Sequence, residues 1–450
     1  MCIEQFRSPN SPWRVFQSVY ATSSVCFFLD SIHYHPPDQS YSYIGADPFL
    51  ELTLEKGRIH LRGAEKGSFP ASDLFPVLRR LMKKYRASAV PAVPFFAGGA
   101  VGYWGYELAS LFDRIHFRRK PDPGFPQLYL GFFRNLIVYD HRRKKYLLIS
   151  DSKTETETLK RHFKNSEVPD RPFRLKRFKP EISRPRFEQM VRRAKEYIAA
   201  GDIYQANLSQ RFSFEFSGSP VVLYGSLRKI NPSPFASFLK IGGLEIISSS
   251  PERLVRKSGR LCETRPIAGT RPRRRAGQSE RELARELLHN EKERAEHLML
   301  VDLERNDLGR VCDYRSVRVR EFMKIEKYSH VIHLVSKITG RIQQGKDALD
   351  LIRAMFPGGT ITGCPKIRCM EIIDELEPVR RGVYTGSIGY LDFRGDLDLN
   401  IVIRTLILQK NKGYLQVGAG IVHDSVPARE FEETLAKGEA MAQALIQAGD

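Results

Sequence analysis

The stretch LYLGFFRNLIVYDHRRKKYLLISD, residues 128–151, places apolar runs on either side of the charged segment HRRKK. Runs rich in Leu, Ile, Phe, Tyr and Val that flank a short polar segment are typical of two β-strands joined by a turn. We therefore predict a hairpin at this position.

The upstream sequence also predicts β-structure. Residues 40–63, SYSYIGADPFLELTLEKGRIHLRG, alternate apolar and polar side chains with turn residues between the runs. Residues 95–107, FFAGGAVGYWGYE, combine glycines, which let backbones approach closely, with aromatic rings that bury large areas. The first part of the chain is thus predicted to be β-rich.

A polar, charged and proline-punctuated segment, residues 151–185, marks a predicted boundary. Beyond it, apolar residues at helical spacing predict a helix with Ser183 as N-cap and Gly201 as its end. The segment LSQRFSFEF switches to period two, and strands then mix with long helices. We predict an N-terminal β-rich domain over 1–165 and a catalytic domain over 183–450. The fold class is α+β, with large, mainly antiparallel sheets packed face to face and covered by helices.

Composition limits the class of protein. The chain has 450 residues, 42% of them hydrophobic and 28% charged, as is usual for soluble globular proteins. It contains no apolar run of about 18 residues and no signal-peptide pattern, so we expect a cytoplasmic protein without membrane spans. Six cysteines without a CxxC pair indicate reduced thiols.

The net charge of +20 has two interpretations, nucleic-acid binding and a basic solvated surface. The basic clusters are scattered and none lies in a nucleic-acid-binding motif, so we predict no nucleic-acid partner. A small polyanionic substrate fits the charge equally well. One cluster, RPIAGTRPRRR at 265–275, forms a polar turn suited to an anion around the inert Ala268, with four arginines behind it: Arg271, Arg273, Arg274 and Arg275.

Two pairs of glutamates have i, i+3 spacing, which puts both members of a pair on one helix face. The first pair lies in the helix predicted over SERELARELLHNEKERAEHLMLVDL. The second lies in a helix with Ser425 as predicted N-cap, and Lys437 follows one turn later. Either pair alone is also typical of a solvated helix face. Together they would form an oxygen-rich site suited to Mg²⁺: Glu293, Glu296, Glu430 and Glu433.

Three further residues are candidates for chemistry. Glu252 follows a strand and a proline, where a turn could aim it into a cleft or leave it on the surface. His333 lies in an apolar segment and is either a core histidine or a site residue. Arg404 stands inside a predicted apolar strand, where a charge needs a partner such as a substrate carboxylate.

Several long motifs along the chain resemble those of a known enzyme family. They include YSYIGADP, GGAVGYWGYE, GDIYQANLSQRF, SSSPERL, RPIAGTRPR, KERAEHLMLVDLERNDLGRV, YSHVIHLVS, FPGGTITGCPKIRCMEIIDELEP, GSIGYLDF, IVIRT and GAGIVHDSVPAREFEET. In this order they closely resemble the chorismate-utilising enzymes, namely component I of anthranilate synthase and of aminodeoxychorismate synthase, with isochorismate synthases as more distant relatives. The resemblance covers most of the chain and implies the anthranilate synthase component I fold.

The resemblance implies roles for the candidates. The four glutamates would hold Mg²⁺ against the ring carboxylate of chorismate. Glu252 would protonate the departing C4 hydroxyl, and His333, Thr270 and Ala268 would lie beside the reacting ring. Anion recognition and the remaining substrate contacts would come from a further set: Gln205, Tyr390, Arg404, Gly418, Ala419, Gly420 and Lys437.

The resemblance also implies the nucleophile. Gln205 occupies the position where isochorismate synthases carry a lysine that activates water, so ammonia is expected instead. The chain has no glutaminase segment, so a separate glutamine amidotransferase subunit is expected as partner. A catalytically inactive paralogue would lack one of the carboxylates, and none is missing.

Residues that distinguish the branches of the family point in two directions. Ala268 stands where aminodeoxychorismate synthases carry a nucleophilic lysine, and this favours anthranilate synthase. The segments TITGCPK, YTGSIGY and LDLNIVIRT resemble the aminodeoxychorismate branch, which we favour. A regulatory tryptophan element would correspond to FFLDS and to its residues Asp30 and Ser31.

Overall fold

The structure is a computed structural model that describes residues 2–32, 41–86, 93–118, 125–164, 171–273, 279–327 and 331–448. Arg274 and Arg275 lie outside these residues. Thr270 is described by its backbone alone.

The described residues form 24 strands. In chain order they are β1 (Cys2–Phe6), β2 (Val25–Asp30), β3 (Tyr41–Ala46), β4 (Leu50–Glu55), β5 (Arg58–Gly63), β6 (Gly67–Pro70), β7 (Gly99–Trp104), β8 (Leu128–Phe133), β9 (Leu136–Asp140), β10 (Lys145–Ser150), β11 (Arg174–Pro180), β12 (Gln205–Ser217), β13 (Phe235–Ile241), β14 (Leu244–Ser250), β15 (Arg253–Ser258), β16 (Leu261–Thr264), β17 (Ile267–Pro272), β18 (Arg318–Lys327), β19 (Val331–Arg341), β20 (Gly363–Cys364), β21 (Ser387–Asp392), β22 (Leu397–Asn400), β23 (Thr405–Gln409) and β24 (Lys412–Ile421).

Ten α-helices accompany the strands within the described ranges. They are α1 (Pro12–Thr22), α2 (Leu74–Tyr85), α3 (Lys153–Arg161), α4 (Arg184–Ala199), α5 (Pro220–Ile230), α6 (Glu280–His289), α7 (Glu291–Gly309), α8 (Ala348–Met355), α9 (Lys366–Leu376) and α10 (Pro427–Gln447).

The strands form two antiparallel sheets of twelve strands each. The first sheet has the order β1-β10-β9-β3-β2-β13-β14-β23-β24-β12-β11, with β20 paired to β12. The second has the order β17-β19-β16-β15-β22-β21-β7-β8-β4-β5-β6, with β18 paired to β19. The predicted class, large antiparallel sheets covered by helices, is confirmed.

Three cores show that the sheets pack face to face between two helical layers. On β2, Phe27 faces the core between the sheets, whereas its neighbour Phe28 faces a core with α1, α5 and α10. On β8, Tyr129 faces the core between the sheets and Leu130 faces the core with α2, α7 and α8. Successive side chains of a strand point to opposite faces, so each of these strands serves two cores.

The segment 128–151 forms three strands rather than the predicted two. β9 and β10 make the expected hairpin around the basic turn, with Asp140 opposite Lys145. β8 belongs to the second sheet, where it pairs with β4 and β7. The polar pair Arg134 and Asn135 interrupts the apolar run, and there the chain passes from one sheet to the other. This crossing links the two layers directly.

Two predicted elements after the boundary are confirmed. Ser183 caps α4, because its hydroxyl accepts a hydrogen bond from the Arg186 N–H, and Gly201 follows the helix with a φ of +82°. The period-two segment is part of β12. Its polar exception, Gln210, donates a hydrogen bond of 2.7 Å to Thr434 on α10.

Three local predictions were wrong. The helix predicted over residues 279–303 is divided into α6 and α7 at Asn290, whose side chain accepts a hydrogen bond from the Glu293 N–H and so favours a helix start. The N-cap of α10 is Val426 rather than Ser425. Arg404 lies at a bend before β23 with a φ of +52°, not inside a strand.

The proposed division into 1–165 and 183–450 remains a prediction, and strands from both parts pair within each sheet. All six cysteines are described and none forms a disulfide. Among the helices described, none combines the length and apolar character needed to cross a membrane.

Candidate active site

The start of β12 and the end of β24 form one wall of the site. The Gln205 side-chain amide donates a hydrogen bond of 2.9 Å to Glu296 Oε1 on α7. Gly420 leaves the room for this contact, since a β-carbon there would lie 2.5 Å from Gln205 Nε2. The glycine therefore serves close approach between the strand and the helix.

Gly418 makes a second close approach on the same strand. A β-carbon there would lie 2.6 Å from Asn207 Oδ1 and 2.7 Å from the Tyr384 hydroxyl. The buried Asn207 Oδ1 has no hydrogen-bond partner among the described residues, and the same holds for Gln205 Oε1. Buried polar atoms are normally satisfied, so these two oxygens line a space suited to a polar ligand.

The four predicted glutamates converge from α7 and α10. Burial raises the pKa of Glu296, and repulsion from Glu293 and Glu433 raises it further. Burial also raises the pKa of Glu430, and the Glu433 charge adds to this effect. Carboxylates that raise each other's pKa lie close together, so the helices bring both pairs into one cluster.

Two basic side chains accompany the cluster. Arg271 donates a hydrogen bond of 3.0 Å to Glu293, and Lys437 forms an ion pair of 2.7 Å with Glu433. Lys437 also donates a 3.2 Å hydrogen bond to the Gly418 carbonyl, which ties α10 to β24. One cation thus reaches the carboxylates from β17 and the other from α10.

The carboxylates fit a metal chemically, although they do not enclose one. Across the described ranges, no three His, Cys, Asp or Glu side chains lie close enough together to hold a metal ion. Glu430 Oε2, however, is buried without a hydrogen-bond partner in the part of the chain that is described. Carboxylates that repel one another, one of them with an oxygen that lacks a hydrogen-bond partner among the described residues, suit a cation that prefers oxygen ligands, such as Mg²⁺.

Glu252 is deeply buried rather than on a surface turn. Only 4% of the residue is exposed, and Oε1 accepts a hydrogen bond of 3.2 Å from the Ile267 N–H. Burial raises the pKa of Glu252 to about 8 against the opposing effect of that hydrogen bond. The carboxyl is therefore protonated at neutral pH and can donate a proton.

The charge of Arg404 acts on both Glu252 and His333. His333 Nδ1 lies 3.2 Å from the Gly269 carbonyl, which can only accept, so Nδ1 is assigned the proton. Burial, helped by repulsion from Arg404, lowers the pKa of His333 to about 3, and the ring is neutral. The Arg404 charge also favours the ionised form of Glu252.

The loop around Ala268 packs against the first glutamate pair. Ala268 is buried on β17 opposite Leu334, and Gly269 has a φ of +69°. A β-carbon at Gly269 would lie 2.9 Å from Glu293 Oε2. The Thr270 backbone pairs with His333. Gly269, which follows the inert Ala268, thus lies against Glu293. The role of Ala268 beside the reacting ring remains a prediction.

Tyr390 lies away from this group, contrary to expectation. Its ring stacks on Phe96 at 4.5 Å and lines a different cavity between the sheets. Asp30 and Ser31 line the same cavity. Asp30 accepts a hydrogen bond of 2.6 Å from Arg228, and Ser31 donates one to the Tyr41 carbonyl.

Sequence reasoning missed three residues near the site. Tyr384 lies beside Gly418, with its hydroxyl 2.7 Å from the position of a β-carbon there. The Thr360 hydroxyl is buried beside Glu252 and makes no hydrogen bond of ordinary geometry within the described ranges. Glu304 is a second buried carboxylate, whose charge acts on Glu252. The only sequence signal for the first two was their place in the motifs YTGSIGY and FPGGTITGCPK.

The chain belongs to the chorismate binding enzyme family, whose model matches residues 29–443. It is 44% identical to aminodeoxychorismate synthase component 1 of Bacillus subtilis, covering 90% of this chain and 89% of that protein. It is 40% identical to anthranilate synthase component 1 of Acetivibrio thermocellus, covering 100% and 95%. The crystal structure of anthranilate synthase component I from Streptococcus pneumoniae matches with a TM-score of 0.78 and 36% identity, covering 91% of this chain and 93% of that one.

Proposed function

We propose that this chorismate-utilising enzyme is component I of an aminodeoxychorismate synthase. It would convert chorismate and ammonia to 4-amino-4-deoxychorismate and water for 4-aminobenzoate and folate synthesis. The observation that carries this proposal is the deep burial of the Glu252 carboxyl, which accepts a hydrogen bond from the Ile267 N–H. Burial raises the pKa of Glu252 to about 8, although the Arg404 charge opposes this effect. An acid held neutral at physiological pH suits the departure of a hydroxyl group as water.

The substrate would be held through its carboxylates. Glu293, Glu296, Glu430 and Glu433 would hold Mg²⁺, which supplies positive charge that neutralises and orients the ring carboxylate. Arg404, Lys437 and the β24 backbone supply further donors for anionic groups. Tyr384 adds a hydroxyl beside Gly418.

Ammonia is the proposed nucleophile because the site offers no suitable base for water. Gln205 is an amide without basic character, and its nitrogen is committed to Glu296. His333 is neutral, but burial lowers its pKa to about 3, so its unprotonated ring nitrogen is only a weak base for water. A glutamine amidotransferase subunit would supply the ammonia, in keeping with the component 1 names of the relatives.

Ala268 favours a second candidate, anthranilate synthase component I. The methyl group cannot attack the ring, so ammonia would have to add directly in either reaction. In the alternative, ammonia enters at C2, and water and pyruvate leave to give anthranilate. Both reactions use the same acid at the C4 hydroxyl.

Product analysis separates the two candidates. Purified protein with chorismate, Mg²⁺ and ammonium should form aminodeoxychorismate, which an added lyase converts to 4-aminobenzoate. Anthranilate, detected by its own fluorescence, should be absent. Glutamine in place of ammonium should give no product until the amidotransferase subunit is added. Anthranilate as the main product would establish the alternative, and no product under any of these conditions would refute both.

The acid predicts the alkaline limb of the pH profile. Glu252 donates only when protonated, so kcat/KM should fall about tenfold per pH unit above about 8. Rates with ammonia measured from pH 6 to 10, corrected for the free-base fraction, check this. A corrected rate that stays level through pH 9.5 would contradict it.

The loop around Ala268 gives a separate prediction. Ala268→Lys places an amine next to the acidic cluster, where proximity gives it a high effective concentration toward bound chorismate. Intact-protein mass spectrometry after mixing with chorismate and Mg²⁺ should show added mass on this variant. Ala268→Met, of similar length without an amine, and the wild type should show none. An adduct on the wild type would identify another nucleophile.

A further inference from the structure

Glu304 on α7 lies in the protein interior away from the four-glutamate cluster. The residue is 2% exposed, and its two carboxyl oxygens face different elements. Oε1 accepts a hydrogen bond of 3.3 Å from the Gly359 N–H, and Oε2 lies 3.1 Å from Thr264 Oγ1 at the end of β16. The side chain therefore bridges a strand of the second sheet and the turn that carries Thr360.

The contact with Thr264 defines where the proton lies. Thr264 Oγ1 is also 2.8 Å from the Leu254 carbonyl, which can only accept a hydrogen bond. A hydroxyl carries a single proton, and the shorter contact with a pure acceptor takes it. A hydrogen bond between Thr264 and Glu304 then requires the carboxyl group to be the donor.

The surrounding charges agree with a neutral carboxyl group. Lys366 on α9, the nearby cation, is already paired with Asp307 on α7 and donates a further hydrogen bond to the Met355 carbonyl. Burial and repulsion from Asp307 raise the pKa of Glu304, while Lys366 opposes the change. An ionised Glu304 would in turn raise the pKa of Glu252.

The turn that Glu304 holds leads directly to the acid. Thr360 follows Gly359 and lies beside the Glu252 carboxyl. A β-carbon at Gly359 would lie 2.6 Å from Leu303 Cδ2, so the turn is pressed against α7. Arg381 holds its other end through a 2.8 Å hydrogen bond to the Ile361 carbonyl. Glu304 thus helps to fix this turn from the side of α7.

We propose that Glu304 is a positioning residue for Glu252 and works as a neutral carboxylic acid, accepting from the Gly359 N–H and donating to Thr264. This role depends on the acid function proposed above for Glu252. Glutamine reproduces the pattern, because its oxygen can accept from Gly359 while its NH₂ group donates to Thr264. Alanine removes both contacts and leaves the Gly359 N–H without a partner.

Four proteins test the proposal: wild type, Glu304→Gln, Glu304→Ala and the control Asp302→Asn, an exposed position on the same helix. Difference infrared spectroscopy at mildly acidic pH should show a protonated-carboxyl C=O band that Glu304→Gln lacks and Asp302→Asn retains. An unchanged band in Glu304→Gln would mean an ionised Glu304 and would overturn the proposal whatever the activity.

Kinetics with chorismate, Mg²⁺ and ammonium test the positioning. Glu304→Ala should lose roughly 10- to 100-fold in kcat with little change in KM, because a small displacement near the reacting atoms is costly. Glu304→Gln should recover kcat to within about 3-fold of wild type. Its alkaline limb should stay where it is in the wild type, because a neutral Glu304 places no charge near Glu252. A limb that moves to lower pH would mean that Glu304 is ionised and would overturn the proposal.

Full activity in Glu304→Ala, or a loss in Glu304→Gln as large as in Glu304→Ala, would contradict the positioning role. If Glu304→Ala does not fold, the rate and the pH profile of Glu304→Gln still test the positioning role. Inactivity of the wild type in this assay would refute the proposed function instead, and the infrared result would remain a separate measure of Glu304.

Discussion

Glu252→Gln is expected to lower kcat by about 10²- to 10⁴-fold while leaving the KM for chorismate within a few-fold of wild type. The amide has nearly the same shape and can still accept from the Ile267 N–H, but it has no carboxylic proton to give. Departure of the C4 hydroxyl would then lack its acid. The alkaline limb of the pH profile should disappear with it.

Glu245→Gln is a matched control. Burial raises the pKa of Glu245 as it does that of Glu252. Glu245, however, lies near the opposite end of β14 from Glu252 and accepts a hydrogen bond from Tyr20 on α1. Its activity should remain near wild type. A normal rate for Glu252→Gln would show that Glu252 is a buried structural acid and would remove the central step of the mechanism.

Glu296→Ala and Glu433→Ala are each expected to abolish measurable turnover and to weaken Mg²⁺-dependent chorismate binding. Each change removes one member of the acidic cluster, and each also releases a neighbour: Gln205 in the first case and Lys437 in the second. Losing one ligand of a metal site lowers affinity and misorients the substrate that the metal holds. Isothermal titration with chorismate, with and without Mg²⁺, separates binding from turnover.

Glu432→Ala is the control on α10. Glu432 neighbours Glu433 but points to solvent, where it pairs with Arg184. Its Mg²⁺ dependence should match that of the wild type, and circular dichroism should show all three variants folded. Turnover in Glu296→Ala or Glu433→Ala that approaches wild type at saturating Mg²⁺ would remove the metal assignment.

Short-range signals in the sequence predicted the elements of this protein well. The apolar spacing and cap of α4 and the alternation of β12 are local properties, and both elements formed as predicted. The division of the predicted helix into α6 and α7 was missed because the apolar spacing continues past Asn290, although asparagine favours the N-cap position of a helix. The crossing between the two sheets at Arg134 and Asn135 was missed because a local pattern does not show that consecutive strands belong to different sheets.

The site was predictable where a spacing placed residues on one face. Glu293 and Glu296 share a face of α7, whereas Glu304 lies roughly 12 Å further along the helix than Glu296, toward the second sheet. Whether that direction is buried depends on packing that no local pattern contains. Tyr390 was misplaced for a similar reason, since only the pairing of β21 in the second sheet shows that its ring faces the cavity with Asp30 and Ser31.

Strands that are synthesised early in this chain pair with strands that are synthesised much later. β2 has β13 as its neighbour and β7 has β21, so both partners emerge from the ribosome long after β10 is complete. At about 5–20 residues per second, β13 is complete roughly 5–18 s after β10, and β21 is complete roughly 12–48 s after it. Until these partners are complete, β2 and β7 each have an unpaired edge, and the core that buries Phe27 and Tyr103 is not yet formed. The nascent chain is therefore a natural client for chaperones that shield strand edges.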